Sequence, residues 1–318
     1  MSNPYLFIVG CPRSGTTLLQ RIVNAHSDIT ITHETHWIAK WYERRKGVTA
    51  EDTVTPELIS RLAAYHRFER WPMSREDLDQ LISGNEPVSY ADFVTGFFDL
   101  YRKQSGKRLV GDKTPEYVRY VSTLHKLWPR ARFVHIIRDG RDVCLSATNW
   151  KKSSNLAGRF PTWRAYPTIT AALWWAWLTR LGREDGQPLG PELYREARYE
   201  SLVAYPEEEC RSLCDFLDLP HDAGMLRFHE GRENNAPGLN AKKAWRPVTA
   251  GLRKWQSQMP PKDVELFEAA AGDLLDELDY PRAVRSPSQQ NLETASEVRE
   301  SFVQTMRSRG NRLPEVWQ

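Results

Sequence analysis

The chain has 318 residues, 40% hydrophobic and 27% charged, with 44 Lys and Arg against 41 Asp and Glu. That length suits one large α/β domain or two small ones, and the composition is that of an ordinary soluble globule. A net charge of +3, scattered rather than striped, points away from nucleic acid and fits a pocket for a polyanion better.

Residues Tyr5 to Thr17, YLFIVGCPRSGTT, read as an apolar strand running into a glycine-bracketed turn and then into the helix LLQRIVNAH. Gly10 and Gly15 let the backbone fold tightly enough for successive N–H groups to point into one anion-sized hollow. Thr16 and Thr17 open the helix, whose positive dipole end faces that hollow. With Ser14 they predict a phosphate cradle. A loop that hydrolyses nucleoside triphosphates carries Lys directly after its second glycine. Here that place holds Thr16, and the nearest cation is Arg13, inside the loop. The strand begins so near Met1 that no signal sequence is expected.

The next segment, HSDITITHETHWI, reads as a polar turn holding His33, Glu34 and His36. Each of the three can accept a proton from an attacking hydroxyl, and the residues alone leave the choice open. From about Trp37 to Gly106 helical stretches are predicted over Trp37–Lys46, Glu57–Tyr65, Glu76–Ile82 and Tyr90–Gln104. Trp37, Trp41, His66, Phe68 and Trp71 could line an aromatic site there, with core packing the commoner use.

RLVGDKTPEYV gives a short strand over Leu109–Gly111, with Lys113 at its end and Pro115 opening a helix. Lys113 is either a cation for a ligand or a surface partner of Asp112. Arg132 to Arg138, RFVHIIR, reads as a buried strand followed by the helix DGRDVCLSATNW. Arg138 falls at the strand's carboxyl end, where open α/β sheets place ligands. Ser146 follows about two helical turns on. An Arg fork with a hydroxyl suits a phosphate monoester, and the plain alternative is an Arg–Asp pair capping the helix.

ITAALWWAWLTRL is the most apolar helix, shorter than the ~20 residues a bilayer needs and carrying Arg180, so it is expected in the core and not in a membrane. REARYESLVAYPEEECRSLCDFLDLP reads as strand, turn and amphipathic helix. The four cysteines fit neither a disulfide framework nor a zinc pattern. Cys210 and Cys214 are expected to pack inward, Cys11 lies in the anion loop, and a reducing, cytoplasmic setting is expected. The tail from Arg285 reads as polar and then helical from about Asn291 to Arg307.

PRSGTT without the lysine resembles the 5′-phosphosulfate loop of sulfotransferases that use 3′-phosphoadenosine 5′-phosphosulfate (PAPS). RDGRDVCLS looks like their 3′-phosphate motif. The order PRSGTTL, HSD, ET is similar to tyrosylprotein sulfotransferases and their bacterial relatives. The resemblance implies an α/β fold with a P-loop-like central parallel β-sheet flanked by helices. It implies a sulfotransferase domain over residues 1–284, with 37–106 a helical acceptor-side cap, and a tail over 285–318.

It also implies residue roles. Arg13, Ser14, Gly15, Thr16 and Thr17 would hold the 5′ end of PAPS, and Arg138 and Ser146 the 3′-phosphate. Tyr199, in a Y-E-x-L element, would contact the nucleotide. Arg246 and Thr249 would sit in a basic loop over it, with Thr249 and Lys254 offset by a spacing one residue shorter than in tyrosylprotein members. Glu34 matches the general base, with His33 or His36 as the alternative that relatives outside this branch use. Lys113 and Arg13 would stabilise the transferring group, with no metal. Tyrosylprotein members carry Arg where this chain has His36, and that Arg helps bind an acidic acceptor; a small-molecule hydroxyl is therefore expected over a peptide. Two other classes compete: a nucleotide kinase or NTPase, and a non-catalytic protein that binds PAPS or its product, 3′-phosphoadenosine 5′-phosphate (PAP). The residues do not specify an oligomeric state.

Overall fold

Four short segments have every residue, or all but the first, buried: Leu6–Val9 (β1), Ile29–Thr32 (β2), Leu109–Lys113 (β3) and Arg132–Ile137 (β4); a fifth, Tyr194–Arg198 (β5), is only partly buried. Burial on both faces is what a parallel sheet covered by helices demands. In the structure, a computed structural model that describes residues 5–149, 153–230 and 254–318, these segments form one parallel sheet. Its order is β2-β3-β1-β4-β5. The chain leaves β1 toward one edge and later returns to its other side, so the carboxyl ends beside β1 form the crevice where such sheets bind ligands.

Alternation along the strands divides the core in two. Leu6, Ile8, Ile29, Ile31, Val134 and Ile136 point to one side. There they meet Thr16–Asn24 (α1) through Leu19, Ile22 and Val23. Phe7, Val9, Val110, Phe133 and Ile137 point to the other side.

The remaining helices follow in chain order. Ile38–Glu43 (α2), Pro56–Ala63 (α3), Arg75–Gln80 (α4) and Tyr90–Ser105 (α5) make up the stretch after β2. Val121–Leu127 (α6) precedes β4, and Gly140–Thr148 (α7), Ser153–Arg159 (α8) and Pro167–Gly186 (α9) follow it. Tyr199–Ala204 (α10) and Pro206–Phe216 (α11) follow β5. Trp255–Gln258 (α12), Pro261–Glu277 (α13) and Gln289–Ser308 (α14) close the chain.

Two expectations change. The segment read as a polar turn is, over Ile29–Thr32, the edge strand β2, paired with β3 from Ile29 and Leu109 to Thr32 and Asp112. Its isoleucines enter one core while Thr32 Oγ1 donates to the buried Asp112 Oδ2 at 2.9 Å, so its polar half is satisfied inside the protein. The turn predicted after β5 is the short helix α10.

The aromatic residues of the 37–106 stretch divide likewise. Trp37 is fully buried and ringed edge-on by Trp71, Tyr90, Phe93 and Phe97. Trp41 and Phe68 are only partly covered, and His66 is exposed. Trp174, Trp175 and Trp177 of α9 are buried in the core. Among the described residues no helix is long and apolar enough to cross a membrane. The tail packs on the body: Phe302 stacks on Phe160 at 5.2 Å, and Trp177 Nε1 donates to Arg312 O at 2.8 Å.

Candidate active site

The loop after β1 is shaped by what cannot fit beside it. A Cβ on Gly15, whose φ is 98°, would lie 2.4 Å from Tyr199 Cδ2, and one on Gly10 would lie 2.5 Å from Ile136 O. Only glycine permits that approach at such a φ. Gly10 N donates to Pro115 O and Ser14 N to Cys11 O, both at 3.1 Å, which ties the loop to the segment after β3 and curls it on itself. Arg13 also takes a left-handed φ of 79°. Ser14 Oγ is buried with no hydrogen-bond partner among the described residues, a donor left for a ligand.

Arg13 Nε donates to Ser146 Oγ at 3.0 Å, so the two phosphate-binding segments predicted from sequence meet. Ser146 lies on α7, which Asp139 caps by accepting from Arg141 N at 2.9 Å. Arg138, immediately after β4, is buried with its guanidinium 4.2 Å from the centre of the Tyr199 ring. Its Nη2 donates to Asp142 Oδ2 at 3.1 Å, and its Nε is buried with no hydrogen-bond partner among the described residues. Burial pushes the Asp142 carboxyl up from its ordinary value, while the Arg138 charge opposes the rise.

Arg141 turns the other way and is structural. Its guanidinium holds both oxygens of Asp139, reaches Glu268 Oε1 at 2.6 Å and lies 3.6 Å from the Trp255 ring centre. The plain Arg–Asp pair is present at Arg138, with Asp142, and a second one joins Arg141 to Asp139; Arg138 also lies against the Tyr199 ring.

A second cluster forms where β2 and β3 end. Lys113, 4% exposed and in register with Ile8 of β1, reaches Glu34 Oε1 at 2.5 Å. It does not pair with Asp112, because neighbouring residues on a strand point to opposite faces. Asp112 instead accepts from Thr32 Oγ1 and Thr35 N, and burial pushes its carboxyl up. Glu34 Oε2 is shared between His36 Nε2 at 3.0 Å and Arg67 Nη1 at 3.4 Å. Burial alone would raise the Glu34 carboxyl, but the His36 hydrogen bond and the Lys113 charge hold it well below the usual range. Burial, then the charges of Arg70 and Lys113, lower His33 from its ordinary value, while the Glu34 charge opposes them.

The backbone under Glu34 is fixed. Thr35 N donates to Thr114 Oγ1 at 3.1 Å, and Thr35 Oγ1 bonds the Tyr117 hydroxyl at 2.7 Å. His36 holds a left-handed φ of 55°. Arrangement and charge give this edge an anion cradle beside a carboxylate–lysine pair, the parts needed to move an anionic group onto a nucleophile that must lose a proton.

The family model described as the sulfotransferase family matches residues 4–223. The chain belongs to the sulfotransferase family. Protein-tyrosine sulfotransferase 1 of Danio rerio is 27% identical over 303 residues, 90% of this chain and 74% of that protein. Protein-tyrosine sulfotransferase A of Caenorhabditis elegans is 23% identical over 292 residues, 90% of this chain and 70% of that protein. Among solved structures, the sulfotransferase domain of the Synechococcus PCC 7002 olefin synthase gives a TM-score of 0.56 at 22% identity, over 88% of this chain and 95% of that one. The sulfotransferase domain from the curacin biosynthetic pathway gives 0.51 at 17% identity, over 98% and 99%. These likenesses show the fold, and the family makes the chain an enzyme of sulfuryl transfer.

Within this sulfotransferase, Arg246 and Thr249 lie outside the described residues. Lys254 is exposed at the start of the last described stretch. Cys11, buried in the loop, has its thiol pushed well up by burial and is a packing residue rather than a nucleophile. Sequence reasoning missed Arg67, which reaches Glu34 across 33 positions. It missed Glu200, which accepts from Asp139 N at 3.0 Å and from the Tyr280 hydroxyl at 2.9 Å. It also missed Trp255, whose backbone N–H donates to Asp142 Oδ1 at 2.9 Å. For Glu200 the signal was its place directly after Tyr199; nothing local marks the other two.

Proposed function

We propose that this sulfotransferase moves a sulfuryl group from PAPS to a hydroxyl of a small molecule, with Glu34 as the base. The observation that carries the reading is the Arg13–Ser146 contact at 3.0 Å, which makes one anion-binding surface of two separate motifs. A ligand with a phosphate at each end suits that surface. Buried Ser14 Oγ and Arg138 Nε, unpaired among the described residues, supply hydrogen bonds such a ligand would complete.

PAPS supplies a sulfuryl group bonded to its 5′-phosphate, and PAP leaves as that S–O bond breaks and the acceptor O–S bond forms. Ser14, Gly15, Thr16 and Thr17 hold the 5′ side at the positive end of α1. Arg138 and Ser146 hold the 3′-phosphate, with Tyr199 keeping the Arg138 plane in place. Arg13 and Lys113 oppose the charge that develops at the transferring group, the task Mg²⁺ performs in a kinase. Glu34 accepts the acceptor's proton once Lys113 turns from it to the sulfuryl oxygens. Residues 37–106 form the acceptor-side cap of a catalytic domain over 1–284, and the buried free thiols support a reducing, cytoplasmic setting.

The 3.0 Å contact between His36 Nε2 and Glu34 favours one second reading, in which His36 takes the proton and Glu34 stabilises the resulting imidazolium. Radiolabelled PAPS offered with fractionated small molecules and proteins from the source cell tests the function as a whole. Label on a hydroxyl compound is expected. Label confined to protein fractions would overturn the small-molecule reading, and none anywhere, with PAP still bound, would overturn transfer.

A further inference from the structure

Glu34 has more positive charge around it than one carboxylate needs. Lys113 occupies Oε1, while His36 and Arg67 share Oε2 at 3.0 and 3.4 Å. The Arg67 contact is at the outer limit of a hydrogen bond. Its side chain is 23% exposed, so it can be reached from outside.

Arg67 belongs to the 37–106 stretch, just ahead of the short helical turn Phe68–Arg70. Arg70 at the end of that turn is exposed, and its charge acts on both His33 and Tyr65. Tyr65, half-buried near the two arginines, stacks on the buried Trp71 at 5.9 Å and 22°.

A carboxylate clasped by cations is a weak base, so the clasp must loosen before Glu34 takes a proton. The transferring group can draw Lys113 away. Arg67 holds the other Glu34 oxygen, Oε2, and needs an anion of its own before it lets go. We infer that the acceptor is a small molecule carrying a carboxylate or similar anion near its hydroxyl, and that Arg67, supported by Arg70, reads that anion by exchanging Glu34 for it. A planar guanidinium fork suits such a group in a way lysine does not. The inference rests on the sulfotransferase reading with Glu34 as base.

The test offers radiolabelled PAPS with acceptors in matched pairs: 4-hydroxyphenylacetate with its amide, glucuronate with glucose, and a tyrosine peptide with acidic or neutral flanks. The anionic small molecule should be favoured about 10-fold or more in kcat/KM in at least one pair. Arg67→Ala should bring that ratio toward one, and Arg67→Lys should keep part of it. Equal or reversed ratios in every pair, no label on any anionic member, or a ratio unmoved in Arg67→Ala would overturn the inference. Label on the acidic peptide alone would overturn its small-molecule part. Calorimetry with PAP on the same protein separates the two levels: PAP bound without charge preference sinks only the inference, and PAP unbound sinks the reading beneath it.

Discussion

Arg13 and Ser146 are 133 positions apart and meet through a 3.0 Å hydrogen bond from Nε to Oγ. One belongs to the loop after the central strand, the other to the helix after its neighbour. Their contact makes the two motifs one site, and the following expectations start from it.

Glu34→Gln removes the proposed base but keeps a side chain able to bond Lys113 and His36. Turnover should fall about 100-fold or more while PAP affinity stays within a few-fold. Single-turnover transfer from labelled PAPS, with calorimetry beside it, measures both. If Glu34→Gln stays active and His36→Ala does not, His36 is the base.

Arg138→Ala should erase the preference for PAP over adenosine 5′-phosphate, which lacks the 3′-phosphate. Wild type should prefer PAP by about 10- to 100-fold, the size of a charge-assisted contact. Titrating both nucleotides against both proteins gives the ratio. Equal losses for the two nucleotides would mean that Arg138 does not contact the 3′-phosphate.

Gly15→Ala places a methyl group where the Tyr199 ring already lies, at a φ of 98°. A loss of about 1–3 kcal/mol in stability is expected from the backbone conformation and the clash together. PAP binding should weaken with it. Gly15→Ala combined with Tyr199→Ala should recover only the part due to the ring, since the φ is unchanged. Denaturant midpoints of the three proteins test this.

How much of this was readable beforehand depends on where each signal lies. The cradle was legible because Gly10, Arg13, Gly15 and Thr16 sit within one short window, where local backbone chemistry is decisive. Arg138 and Ser146 were legible as the end of a strand and a place on the helix that follows it, within one short segment. β2 was not, since two of its four residues are threonines, and one of them, Thr32, is satisfied by Asp112, a residue far along the chain. Arg67 was invisible for the same reason: its partner is set by the path of the stretch after β2, not by its neighbours. Among the described residues, Glu34 is the one of His33, Glu34 and His36 with a hydrogen bond to Lys113, a contact that no local signal announces.

Arg141→Met should destabilise strongly, because Asp139 and Glu268 would be left as buried charges without their shared cation. The expected cost is about 3–5 kcal/mol, read as a fall in Tm or in soluble yield. Activity of whatever folds should change less than stability does.

His135 gives a pH dependence with a definite sign. It is fully buried, bonded through Nδ1 to the Tyr194 hydroxyl at 2.7 Å, and burial lowers it from 6.5 to about 4. The unfolded chain therefore takes up a proton that the folded one refuses. Its stabilisation is complete above pH 6.5 and is lost as pH falls toward 4. The slope contributed is at most about 1.4 kcal/mol per pH unit. His135→Asn should flatten the stability–pH curve in that window; an unchanged slope would mean that the imidazole is protonated in the fold.

The most direct measurement is calorimetric titration of the purified protein with PAP and, separately, with ATP and Mg²⁺. PAP should bind at micromolar concentration or tighter, weaken in Arg13→Ala and Arg138→Ala, and need no Mg²⁺, while ATP with Mg²⁺ should bind far more weakly. Tight binding of ATP with Mg²⁺ together with no response to PAP would contradict the account.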